Sequence, residues 1–309
     1  MHFPKAPTTV LLAALSGTCL SGCTTVNTVV TPTQQTNSSA IATGMPAVSG
    51  QVALASAPMP QRPGARPAPR QGWPPDEAFG GKVPQENATY RGTLPFLNYD
   101  VPLPDGDWTV IARNVIMTPT GPANLRVALE RNDGSELTGL MLLGGNPPNK
   151  PFPNGLPVSP ICTTSDSIIA DARQAEPGGN QDCAIIDFRR STFLRDTTSV
   201  VFVRLAGRSL DQHNVSPPAT LVGTTFVVAN RTHSLVGDVF FNPDRDGIAP
   251  DLATQRGQSG WAAFNIDKDP RKQAFAQHVL RWSRGWRDAL KLVLAGQTPR
   301  LPPDVATTP

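Results

Sequence analysis

The sequence predicts a mainly β domain, an antiparallel β-sandwich or curved sheet crossed by one C-terminal amphipathic helix. Two observations carry the β assignment: apolar residues alternate in short runs between turn residues, and Asn132-Asp-Gly-Ser135 is a strong hairpin signal. A third carries the helix, because periodicity of three and four residues is clearest near the end of the chain.

Each element follows from local chemistry. Asp107 to Met117 reads as one or two strands, opened by the turn residues Pro104-Asp105-Gly106. Leu125, Val127 and Leu129 alternate on one face of the next strand, and Asn132-Asp-Gly-Ser135 then turns the chain into Glu136 to Leu143. The proline- and glycine-rich stretch from Gly144 to Pro160 is expected to be an irregular surface loop. Ser165 to Arg173 is expected to be a short helix. Strands are expected over Ala184–Phe188, Ser199–Leu205, Leu221–Ala229 and Leu235–Phe241.

The closing helix is expected over about residues 270–295. Asp269 is a suitable N-cap, Pro270 fits the first helical position, and Gly296 suits termination. Phe275, Val279, Trp282, Trp286, Ala289 and Val293 form one apolar stripe, opposite Gln277, Arg281, Arg284, Asp288 and Lys291. The stripe packs across a sheet in the simplest reading. The alternatives are docking onto a partner or onto anionic lipid or lipopolysaccharide, and Trp282, Arg284 and Trp286 are the candidate binding face, which in a small-ligand binder would converge on a pocket between sheet and helix.

At the other end, Lys5 precedes the short apolar run Val10 to Leu15, which is too short to span a bilayer as a mature helix. The run ends in Leu20-Ser21-Gly22-Cys23, which resembles the lipobox of bacterial lipoproteins. The resemblance implies a signal peptide over residues 1–22, cleavage before Cys23 and acylation of that cysteine, with membrane attachment through the lipid. Thr24 stands where an aspartate would signal inner-membrane retention. The resemblance therefore implies the outer membrane, with the protein facing the periplasm.

Residues 23–87 are rich in Thr, Gln, Ser, Ala, Gly and Pro and hold too little apolar surface to offset the entropy of ordering them. They are expected to be a tether, with a reach of roughly 45 Å as a flexible coil. Residues 88–309 suffice for a single globular domain. Apart from Cys23, the mature chain holds only Cys162 and Cys183, which an oxidising compartment would join as a disulfide.

The formal net charge of the chain is +3, and the charges of the domain nearly balance, so nucleic acid is not expected as a partner. The sequence contains no G-x-S-x-G, H-E-x-x-H, Walker or glycine-rich dinucleotide motif. A hydrolytic site would have to assemble from distant residues such as His233, Asp238 and Ser259. Asn242-Pro-Asp244-Arg-Asp246-Gly247 resembles the start of a calcium loop, with oxygen ligands at alternate positions before a glycine bend. Ala253 stands where the bidentate glutamate belongs. A polar turn leaving Phe240-Phe241 is the competing reading. No other cofactor is expected.

Pro104-Asp-Gly-Asp-Trp108, Phe241-Asn-Pro-Asp244 and Trp282-Ser-Arg-Gly-Trp286 are similar to segments of uncharacterised bacterial envelope proteins, a resemblance that implies no activity. The expected function is a non-enzymatic accessory or binding lipoprotein of an envelope assembly, in contact with other envelope proteins or peptidoglycan. The alternatives are a hydrolase of envelope polymer or lipid and a small-ligand binder.

Overall fold

The computed structural model describes residues 76–118, 121–148, 154–299 and 301; Cys23 and residues 1–75 lie outside the described residues. The strands are β1 (Thr89–Tyr90), β2 (Thr93–Phe96), β3 (Tyr99–Pro102), β4 (Trp108–Thr118), β5 (Gly121–Asp133), β6 (Glu136–Gly145), β7 (Ile169–Ala175) and β8 (Gln181–Arg190). The helix α1 (Val201–Gln212) follows, then β9 (Thr220–Ala229), β10 (Ser234–Phe241) and α2 (Pro270–Leu294). The domain is thus mainly β, antiparallel, with a C-terminal helix. Its larger sheet has the order β1-β4-β5-β6-β10-β9-β8-β7, and β2 pairs with β3 separately.

The β5–β6 hairpin turns through Gly134 at φ +61°, as the Asp-Gly step requires. Successive side chains of a strand face opposite ways, and both faces of this sheet are largely covered. On one face, Val222, Phe226, Val239 and Phe241 meet α2 and the β2–β3 hairpin. On the other, Leu140, Leu142, Leu221 and Phe240 meet Phe202, Ala206 and Leu210 of α1. Cys162 and Cys183 form a disulfide on this second face, beside Val227.

Three expectations give way. Ser199–Leu205 is not a strand but the entry to α1. Its Val-Phe-Val alternation imitates a strand, whereas the buried residues Phe202, Ala206 and Leu210 recur every four positions. Ser165–Arg173 is not a helix; it leads into β7, where Ile169 pairs with Ile186 at the edge of the sheet. The β-branched Ile168 and Ile169 suit that extended backbone. The boundary at residue 87 is also too late: Asp76–Phe79 forms a 3-10 turn, and Phe79 and Val83 belong to the main core. A few buried side chains are easily hidden in a composition of mostly small and polar residues and proline.

Candidate functional site

The face of α2 bearing Trp282 and Trp286 is core, not surface. Their rings stack at 5.3 Å, Trp282 meets Phe241 edge-on at 5.0 Å, and Trp286 meets Phe226 in the same way. Trp286 Nε1 donates to Pro102 O at 2.8 Å, so one indole ties the helix to β3. Ser283 Oγ donates to Thr224 Oγ1 and seats the helix on β9. Arg284 lies apart from both rings, at the exposed edge of the helix. It donates to Asp171 Oδ1 from Nε at 3.0 Å and Nη2 at 2.7 Å. The three residues therefore do not converge on a binding face.

The back of α2 is less uniformly solvated than its sequence suggests. Arg287, 3% exposed, donates to both Asp171 and Asp182. Lys291 bonds the second oxygen of Asp182 at 2.8 Å. Sequence reasoning assigned Arg287 no role. The signal available was that Leu280 and Ser283, two turns and one turn before it, sit beside the tryptophan stripe. The buried arc is consequently wide enough to take in position 287.

An open polar cleft of about 660 Å³ lies at the end of the sheet where β4, β5 and β6 meet the turn after β10. Arg131 on β5 is its most constrained group. The guanidinium lies 5.4 Å from the centre of the Trp108 ring and 5.9 Å from that of Phe241, and donates to Thr138 Oγ1 and Asp105 O. Gly106 makes this possible, because a Cβ there would approach Arg131 Cδ to 2.8 Å. Burial lowers the pKa of Arg131 below the ordinary arginine value; Asp105 opposes this and Arg245 adds to it. Arg91 pairs with both oxygens of Asp107, Arg245 pairs with Asp133 at 2.8 Å, and Thr89 and Thr109 share a hydroxyl hydrogen bond. The cleft thus presents guanidinium, hydroxyl and amide groups held on strands and the turns beside them, with Arg91 and Arg245 each paired to an aspartate.

Asn242, the first residue of the expected calcium loop, reaches this cleft as a structural group. Its Oδ1 accepts from Asp244 N, while Nδ2 donates to Glu136 Oε1 and Leu137 O. The segment is a 3-10 turn over Pro243–Asp246 closed by Gly247 at φ +69°, with Asp246 exposed. Burial, helped by the charge of Glu136, raises the pKa of Asp244. The arrangement is that of the polar turn. Among the described residues, no group of three or more His, Cys, Asp or Glu is placed to hold a metal ion.

The residues considered for a triad are bonded elsewhere. Asp238 accepts from Thr225 Oγ1, His233 Nδ1 lies 2.8 Å from Thr232 Oγ1, and Ser259 Oγ donates to Asp251 Oδ2. Ser259 also accepts from Trp261 N, so it shapes its own turn.

Comparison with protein-family models, with curated proteins and with solved structures finds no match to this chain. Its class therefore rests on its own geometry: an antiparallel sheet with a helix on each face, a disulfide on the α1 face and a polar cleft at one end.

Proposed function

We propose that this protein is a lipid-anchored component of the bacterial envelope that works by binding, as an accessory of an envelope assembly. The observation that carries the binding role is the polar cleft around Arg131, in which Arg91 and Arg245 are each paired to an aspartate. Its donors and acceptors are held on neighbouring strands and suit a polar segment of low net charge, such as a glycan strand of peptidoglycan or a loop of another envelope protein. The Leu20-to-Cys23 lipobox supports attachment through Cys23, and the Cys162–Cys183 disulfide fits an oxidising compartment. Thr24 supports the outer membrane.

Two measurements test this reading. Labelled palmitate should appear on the full chain and vanish in Cys23→Ala. A photo-cross-linking residue at Asn132, on the cleft wall, should give a discrete adduct with peptidoglycan or an envelope protein in living cells. Unlabelled protein would overturn the anchor. A cleft that yields the same diffuse products as a site on the exposed side of α2 would overturn the binding role.

A further inference from the structure

Helix α1 carries an outward face that packing does not explain. At 100° per residue, Val200, Val201, Arg204, Arg208 and Asp211 fall within about 100° of the helix circumference, opposite the buried Phe202, Ala206 and Leu210. Val200 is 57% exposed and Val201 55%, so two apolar side chains stand open to solvent at the start of the helix. Arg204 donates to Thr197 O through Nη1 only, and Arg208 makes no hydrogen bond or ion pair among the described residues.

The turn before the helix completes this surface. Ser191–Leu194 forms a 3-10 turn whose backbone presses on Gly207; a Cβ at that position would lie 2.3 Å from Leu194 O. The close approach brings Arg195 alongside α1, where it pairs with Asp211. A hollow of about 380 Å³ results, lined by Leu194, Arg195, Arg204, Arg208 and Asp211, with three guanidiniums against one carboxylate. Glu86 lies in the adjoining hollow on the other side of Arg208.

We infer that this face of α1, with Arg195, docks on the phosphate groups of an anionic phospholipid surface. Guanidinium groups bind phosphate oxygens through paired donors, and three of them converge on one hollow. The valines argue for a lipid surface over a soluble phosphate. They stand exposed at the start of the same face, where short apolar side chains enter the interfacial layer while the arginines stay at the headgroup level. The inference stands apart from the polar cleft: its groups lie on α1 and the preceding turn, and only one of its three guanidiniums is paired to a carboxylate, whereas Arg91 and Arg245 of the cleft each have an aspartate.

The test uses the full chain carrying Cys23→Ser, so that no acyl group reaches the bilayer. Flotation with vesicles of phosphatidylcholine alone is compared with vesicles that also contain phosphatidylglycerol. The parent should bind the second kind more strongly, with the excess falling as salt rises. Arg204→Glu with Arg208→Glu should cut that excess at least about tenfold, and Val200→Ser with Val201→Ser should lower it by less. Arg208→Gln alone, at a side chain with no partner to lose, should give a partial decrease with an unchanged melting curve. Arg281→Glu, on the exposed side of α2, should leave binding as in the parent. Equal binding to both vesicles, or equal loss in the Arg281 variant, would overturn the inference. So would competition by millimolar inorganic phosphate that abolishes binding, since a free anion would then be the preferred ligand.

Discussion

Arg287 on α2 donates one guanidinium nitrogen to Asp171 on β7 and another to Asp182 on β8, so one buried cation joins the last helix to the two outermost strands on that side of the sheet. Removing one partner of such a group strands the other charges in a poorly hydrated place. Arg287→Ala should therefore cost about 3–5 kcal/mol in denaturant unfolding. A loss below about 1 kcal/mol would mean that Arg284 and Lys291 alone satisfy both carboxylates.

The Cys162–Cys183 bridge closes a loop with a sequence separation of 21. By the entropy of loop closure, it should stabilise the domain by about 3 kcal/mol. Unfolding with and without reductant, or with Cys162→Ser plus Cys183→Ser, measures this directly. An unchanged midpoint would contradict the expectation.

Gly207 offers a packing test. Alanine normally favours a helix over glycine by about 1 kcal/mol. Here the added methyl would meet the backbone at Leu194 O, which cannot rotate away. Gly207→Ala should accordingly destabilise by about 1–2 kcal/mol in spite of the better propensity. A rise in melting temperature would show that the 3-10 turn shifts freely.

Glu130 is 3% exposed on β5, with Oε1 at 2.9 Å from His213 Nδ1 at the end of α1. Burial raises its pKa above the ordinary 4.5, and the bond to His213 opposes the rise. The folded chain consequently holds this proton more tightly than the unfolded chain. The contribution is fully favourable below pH 4.5 and is lost as pH rises through the elevated folded value. Glu130→Gln should remove that part of the pH dependence, flattening the stability curve between acid and neutral pH. Parallel stability curves for the two proteins between pH 4 and pH 7 would refute the assignment.

Much of the fold was legible because it is written in local patterns. The Asn132-Asp-Gly-Ser135 turn, the alternation of Leu125, Val127 and Leu129, and the Asp269-Pro270 cap are decided by residues next to one another in sequence. In the structure Asp269 accepts from Arg271 N and Lys272 N, as an N-cap should. The errors arose where a short apolar run fits both periods. Val201-Phe-Val203 satisfies a strand, and only Ala206 and Leu210, farther along, distinguish a helix.

The binding surfaces were less legible for a different reason. Core packing was the simplest reading of the Trp282 and Trp286 stripe and it holds, but the sequence did not show that Phe226, Phe241 and the β2–β3 hairpin are what covers it. The polar cleft unites Arg91, Arg131 and Arg245, which are far apart along the chain and meet only through strand register. Arg287 was hidden in the same way, since its partners Asp171 and Asp182 are more than a hundred residues away in sequence. The cysteines were the exception: a pair with no competitor leaves one pairing.

The same bridge has a consequence for how the sheet edge behaves. Strand β7 lies wholly inside the covalent ring closed by Cys162 and Cys183, and it forms one margin of the sheet. A marginal strand offers unpaired backbone that can exchange with another chain or seed aggregation. Here it can be peeled back only as a hemmed loop, its span limited by the ring. Exchange of β7 between molecules would require threading, so oxidation, besides adding stability, should keep neighbouring copies from trading strands.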